Sequence, residues 1–451
     1  MKTNDFSVGF ARVCITPEES VPLGGYGNVM TRMSQNVLSD IFSICLCLSD
    51  GEETVLLFEN DLIASGEEIT VPIRRAVSEK TGLPVSHILI GATHSHSAPD
   101  YRVSGVPCVE RYKEFLKEKM LVCAEAALAD RKPAEMFFAF GKTKNLNFVR
   151  HYVTESGGYK GDNFGDLDHS PYVCHTTEAD PSMRIVKFAR EGGKDVLLVN
   201  WQCHPHRTGG SRKYDVSADI IGVLRDELSE KTGSEVIYFT GGAGNLNPTS
   251  RIKEENLYQN YLESGHALAM HALDALKNTV PAKTGKLRVL EKLHQEPLNR
   301  PGEEKLRQAE EIDAIWKRTN DYMGIIEKCN ACGINSPYAA SSLLGKHRMP
   351  FDRLNVPMYA VSFGDAAFVT APYEMFDTSA KYIRDFSPFP MTVVASCAND
   401  DNTYVPSAYA CFHGCYETDA TLFRPGTAEV FAQMYVKMLE ALRAQEPEES
   451  L

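Results

Sequence analysis

The stretch Ile88-Leu89-Ile90-Gly91-Ala92-Thr93-His94-Ser95-His96-Ser97-Ala98-Pro99 decides how this chain is read. An apolar run of strand length ends in two histidines one residue apart. Imidazole is the commonest protein ligand for zinc. Gly91 before the motif and Ala98-Pro99 after it permit a turn that brings both rings to one site. The plain alternative is that one of them is a hydrogen-bonded core residue. A second segment repeats the arrangement: Val196-Leu197-Leu198-Val199 runs into Asn200-Trp201-Gln202-Cys203-His204-Pro205-His206. Two strand ends that deliver histidine make a metal site the leading expectation.

Two neutral imidazoles need at least one more ligand, for which a carboxylate is suited. Glu374, in Ala371-Pro372-Tyr373-Glu374, stands where the strand Ala366 to Thr370 should give way to a helix. An acidic residue that merely favours a helix N-terminus is the competing reading. The segment Ala398-Asn399-Asp400-Asp401-Asn402-Thr403-Tyr404 is a further polar strand end.

The rest of the chain reads as α/β, with mixed sheets and flanking helices. Thr54 to Phe58 and His87 to Ile90 read as strands, with helices over Glu67 to Lys80 and Val109 to Asp130. A long polar loop comes next, from Asn145 to Asp180, of the kind that carries binding function. Strands are expected over Arg184 to Phe188, Val196 to Trp201 and Val236 to Phe239, and helices over Ala218 to Glu230 and Asn256 to Lys277. The turn Thr240-Gly241-Gly242-Ala243-Gly244-Asn245-Leu246-Asn247-Pro248 lacks the Gly-Lys-Ser/Thr of a phosphate loop and reads as a pocket-lining turn. Residues 296–352 look inserted, helical over Glu303 to Lys317 and irregular from Cys329 to Pro350. Strands then return at Met358 to Phe363, Ala366 to Thr370 and Thr392 to Ser396, with helices at Met375 to Asp385 and Thr427 to Arg443. A single domain over residues 1–445 with a polar tail at 446–451 is the expected organisation.

Composition narrows the class. A chain of 451 residues can bury a large core, and 43% hydrophobic with 24% charged residues is ordinary for a globular protein. A net charge of −13 argues against a nucleic-acid groove, which needs concentrated positive charge. No run approaches the roughly 18 apolar residues of a membrane span. The start Met1-Lys2-Thr3-Asn4-Asp5-Phe6 lacks the apolar core of a signal peptide, so a cytoplasmic location is expected. The twelve cysteines then read as reduced thiols. Cys45, Cys47, Cys123 and Cys397 lie in apolar runs, whereas Cys329-Asn330-Ala331-Cys332 would need Cys411 and Cys415 nearby to hold a structural zinc.

The order of the motifs resembles the neutral ceramidase family, in its zinc-dependent N-terminal catalytic domain. The family's Thr-His-Thr-His-Ser-Gly-Pro segment is similar to Thr93 to Pro99, and its Asn-Trp segment to Asn200-Trp201 through His204-Pro205. Its Gly-Asp/Asn-x-Ser-Pro-Asn turn is similar to Gly244 to Pro248, its Pro-Gly-Glu turn to Pro372-Tyr373-Glu374, and its Ala-Asn-Asp-Tyr-x-x-Tyr segment to Ala398 to Tyr404. Tyr416, directly before Glu417, stands at the position of the family's second site tyrosine. The resemblance implies zinc held by His94, His204, Glu374 and Tyr404, with His96 and Tyr416 in the reacting shell. Arg150 matches an Asn-Arg segment and, with Asn245, Asn247 and His206, is expected to face substrate.

The expected chemistry is hydrolysis of an amide or ester in a small acyl substrate by zinc-activated water. His96 would move the proton, and Tyr416 would stabilise the oxyanion. Asn247 replaces the family serine, and neither a secretion signal nor an immunoglobulin-like C-terminal domain is expected, which turns the reading away from ceramide itself. A family member that binds a lipid or sugar without turning it over is the alternative. Oligomeric state is not legible.

Overall fold

The computed structural model describes residues 6–26, 32–161, 170–319 and 321–445. The expected tail at 446–451 and part of the 145–180 loop fall outside them. Two sheets pack face to face. The larger has nine strands, ordered Glu235–Thr240, Val196–Trp201, Ser182–Arg190, Lys132–Lys142, Ser7–Cys14, Phe42–Ser49, Thr54–Asn60 and Ile88–Ala92, with Val280–Ala282 added beside Lys132–Lys142. The smaller orders Leu287–Pro297, Arg353–Phe363, Ala366–Thr370 and Met391–Ala395.

Strand periodicity explains the layering. In Phe42–Ser49, Ile44, Leu46 and Leu48 face the second sheet, where they join Val361, Phe363, Phe368 and Val393. Cys45 and Cys47 alternate to the opposite face, under the helices Glu67–Thr81 and Pro107–Ala129, together with Cys123. At the other end of the large sheet the helices Asp219–Thr232 and Tyr261–Leu276 cover Leu197, Val199 and Tyr238. The helices Asp377–Asp385 and Thr427–Arg443 cover the outer face of the small sheet. All twelve cysteines are free.

Within these two sheets most neighbouring strands are antiparallel, but three pairs are parallel, each joined through a helix: Thr54–Asn60 with Ile88–Ala92, Val196–Trp201 with Glu235–Thr240, and Ala366–Thr370 with Met391–Ala395. In a parallel unit both strands end at the same edge, so the loops after them collect there. His94 comes after Ala92, His204 after Trp201, Asn247 after Thr240 and Glu374 after Thr370. The three units are therefore the device that assembles the site.

Several expectations need correction. The helix after Glu374 starts at Asp377, and Glu374 itself pairs in a short parallel bridge with Tyr404, so it is not a residue of the helix's first turn. The helix expected from Asn256 starts at Tyr261, where the Asn260 side chain accepts from the backbone of Leu262 and Glu263. The stretch from Cys329 to Pro350 is not irregular. The helices Tyr322–Ala331 and Pro337–Arg348 join Glu303–Thr319 in a three-helix arm with its own core of Ala309, Ile312, Ile326, Cys329 and Leu344. Ser336 caps the last of them, with Pro337 in its first turn. The arm leaves and re-enters between Leu287–Pro297 and Arg353–Phe363, which pair along their full lengths, so the sheet closes beneath it. No helix among the described residues is long and apolar enough to cross a membrane.

Candidate metal centre

His94 takes a left-handed backbone conformation (φ 66°), which supplies the turn that the His-Ser-His motif needs. Its ring centroid then lies 5.2 Å from that of His96 and 4.8 Å from that of His204. His94, His96 and His204 bring ligand atoms within 4.8 Å of one another. Glu374 completes the cluster: its Oε2 lies 3.3 Å from His94 Nε2 and 3.1 Å from His204 Nε2.

These distances fit zinc. Ligand atoms at about 2.0–2.1 Å from one tetrahedral ion sit roughly 3.3 Å apart. The outer nitrogens are already tied back, since His94 Nδ1 is 2.6 Å from the Ile63 carbonyl and His204 Nδ1 is 2.8 Å from that of Ala243. Such bonds fix the tautomer that turns Nε2 towards a metal. His204 Nε2 and Glu374 Oε2 are both buried without a hydrogen-bond partner. Two orphaned atoms that face each other at 3.1 Å are what a bound cation would satisfy.

The electrostatics agree with a charge concentrated on Glu374. Burial works against this carboxylate, but His94 and His204 hold it well below the ordinary range. Burial likewise opposes a charged His94, yet Glu374 raises it well above the imidazole range. His204, desolvated and close to Arg150, is pushed down to about 3. One imidazolium thus answers the carboxylate while the second ring stays neutral. A divalent ion would take over the imidazolium's role and leave both rings as ligands.

Around this core stand the remaining residues singled out in the sequence. Tyr404 pairs with Glu374 in the strand bridge, and its ring centroid lies 5.6 Å from that of Tyr416. Burial, then Glu374, raises the Tyr416 phenol to about 12, so it is a protonated donor at neutral pH. Burial, reinforced by His94, His206 and His204, keeps His96 well below the imidazole range and hence neutral. Arg150 is 3% exposed, which excludes a surface ion pair. Its Nε donates to Glu417 Oε1 at 2.5 Å, its Nη2 to the Gly244 carbonyl at 2.8 Å and its Nη1 to Asn247 Oδ1 at 3.4 Å. His206 Nε2 is 3.1 Å from the same Asn247 oxygen.

The Asn245 side chain is engaged with Asp377. Its amide nitrogen donates to Asp377 Oδ1 and its oxygen accepts from the Asp377 backbone, which ties the glycine-rich turn to a helix start. The Cys-x-x-Cys pair does not meet Cys411 and Cys415 in a metal-binding group among the described residues. His151, Cys415 and Glu417 do converge, but the Glu417 oxygens are already taken by Arg150 and by His151 at 2.9 Å, so hydrogen bonding accounts for that cluster.

No family model matches the chain. A neutral ceramidase from Pseudomonas aeruginosa is 21% identical over 196 residues, a match that spans 40% of this chain and 28% of the relative's own length. The crystal structure of neutral ceramidase from Pseudomonas aeruginosa superposes on 99% of the chain and 75% of that structure, at a TM-score of 0.72 and 17% identity. The chain is neutral ceramidase-like in fold. A ceramidase complexed with C2 aligns equally well, at a TM-score of 0.71 and 17% identity over 99% of this chain and 76% of that one. The neutral ceramidase fold thus embraces both sheets and the edge where the histidines meet.

Sequence reasoning missed Glu417, Tyr26 and Arg32. Glu417 carried one signal, its place directly after Tyr416. Tyr26 and Arg32 carried none, since the partners that tie them to the site, His206, Lys213 and His96, lie 64 to 181 residues away.

Proposed function

We propose that this protein is a zinc-dependent hydrolase of an amide bond in an acyl substrate. The observation that carries the reading is the convergence of His94 Nε2 and His204 Nε2 on one Glu374 oxygen, with the orphaned His204 and Glu374 atoms facing each other. The relatives are ceramidases, which makes the amide the first bond class to test. An ester is the nearest alternative.

Bound zinc would supply Lewis acidity towards an acyl carbonyl and a more acidic water. The chain's own residues supply the rest. His96, neutral because it is buried among other imidazoles, accepts a proton from the attacking water and passes it to the leaving group. Tyr416, protonated because it is buried beside Glu374, donates a hydrogen bond to the acyl oxygen as negative charge develops there. Arg150 is held rigidly by Glu417, Gly244 and Asn247, so it adds fixed positive charge without reorganisation. Asn247 takes the place of a hydroxyl residue and, through one oxygen, links Arg150 to His206.

The test is a panel of N-octanoylethanolamine, N-octanoylsphingosine and octanoyl esters, each incubated with metal-stripped and zinc-restored protein. Zinc-dependent release of octanoate supports the proposal. Full zinc loading with no release from any member of the panel contradicts it.

A further inference from the structure

We propose that Tyr26 is a positioning residue that fixes the His96 ring, and that Arg32 locks it in place. The catalytic consequence rests on the hydrolase reading, whereas the conformational claim stands without it. His94 and His204 have their rings pinned through Nδ1 to main-chain carbonyls. His96 is different: its Nδ1 is buried with no hydrogen-bond partner. A histidine that moves protons needs a fixed ring, normally secured by that second nitrogen. Here packing must do it.

The packing is supplied by the segment that leads into Tyr26. The Tyr26 ring stands edge-on to His96, with centroids 5.0 Å apart and planes at 77°, while His94 and His204 close other sides of the ring at 5.2 and 5.4 Å. Gly25 passes so near that a Cβ there would come within 2.4 Å of His96 Cγ, and its φ of +101° also favours glycine. Tyr26 is held at its far end, where its hydroxyl donates to the His206 carbonyl at 3.1 Å.

Arg32 closes the assembly. It is 5% exposed, and its guanidinium donates to the carbonyls of Gly24 at 2.6 Å, His96 at 2.8 Å and Lys213 at 2.9 Å. Its Cζ lies 4.7 Å from the centre of the Tyr26 ring. One buried cation thus joins the backbone before Tyr26 to the backbone of His96 and stacks on the ring between them. Tyr26 itself is 41% exposed, so truncating it removes a wall of the site without opening the core.

The experiment compares Tyr26→Ala and Tyr26→Phe with the parent protein in the zinc-loaded state. It uses steady-state hydrolysis of the best panel substrate, metal content, and crystal structures of all three. Tyr26→Ala is expected to lower kcat roughly 10- to 100-fold with KM within about threefold, as misplacement of a proton-transfer group does. It should keep its zinc and show the His96 ring divided between rotamers. Tyr26→Phe keeps the ring wall and should retain a single His96 rotamer and most of kcat. A single, unmoved His96 ring in Tyr26→Ala overturns the proposal, as does a loss confined to KM. Should the parent turn over no substrate, the hydrolase reading fails, and the rotamer comparison still decides the role of Tyr26.

Discussion

His204 Nε2 and Glu374 Oε2 face each other at 3.1 Å, both buried and neither hydrogen-bonded. An ion between them would remove an energetic liability of the apo protein, so metal binding and stability must be linked. Stripping zinc is expected to lower the midpoint of thermal unfolding by several degrees, and zinc should restore it. Glu374→Gln should show neither response. Calorimetry of the parent and variant with and without chelator checks this, and an unchanged midpoint in the parent would sink the linkage.

His96 shares the cluster with His94 and His204, yet no ion-pair contact of its own ties it to Glu374, as theirs do at 3.3 and 3.1 Å. His96→Ala is therefore expected to keep its metal and its fold while losing most of its turnover, about 10²- to 10⁴-fold in kcat, the usual range for a proton-transfer group. Activity assays alongside metal content measure both. Unchanged turnover would remove His96 from the reaction.

Glu417 and Arg150 form an ion pair at 2.5 Å, 1% and 3% exposed at their side chains. Burial opposes the Glu417 charge, but Arg150, then His151, holds it well below the carboxylate range. Removal of one partner leaves a buried, unpaired charge. Glu417→Ala should cost about 3–5 kcal/mol in chemical denaturation, with Glu417→Gln less severe because it retains hydrogen bonds. A loss under about 1 kcal/mol would mean that water already reaches the pair.

Lys346 anchors the three-helix arm to the helix that bears Tyr416: its Nζ donates to the Asp419 carbonyl at 2.5 Å. Burial pushes this lysine down to about 8, although Asp419 opposes the shift. An ordinary lysine titrates near 10.4. Between those values the unfolded chain binds more protons than the folded one, so this group makes stability rise with pH across that window. The cost is fully present below about pH 8 and is relieved as pH climbs towards 10.4. Lys346→Met should lack that rise, so the parent gains stability relative to the variant from about pH 8 to about pH 10. Parallel pH profiles would place Lys346 in solvent.

The parts legible in the sequence were those governed by local pattern. Ile88–Ala92 and Val196–Trp201 are buried throughout, as parallel strands covered on both faces must be, and such runs stand out as continuous apolar stretches. The histidines were readable because each comes directly after such a run. Leu287–Pro297 was not, because it carries Arg288, Glu291 and Lys292 on a half-exposed edge strand and shows no apolar block. The two later arm helices were hidden for a similar reason: their apolar residues bury within the small core of the arm, against one another and against Ala309 and Ile312 of the first arm helix. The Arg150–Glu417 pair spans 267 residues, and only the folded chain brings it together.

The most direct test is metal analysis of the purified protein beside His204→Ala, Glu374→Gln and His96→Ala. One zinc per chain is expected in the parent and in His96→Ala, with near-complete loss in the other two. No zinc in the parent, or equal retention in Glu374→Gln and His204→Ala, would contradict the assignment of these residues as the metal's ligands.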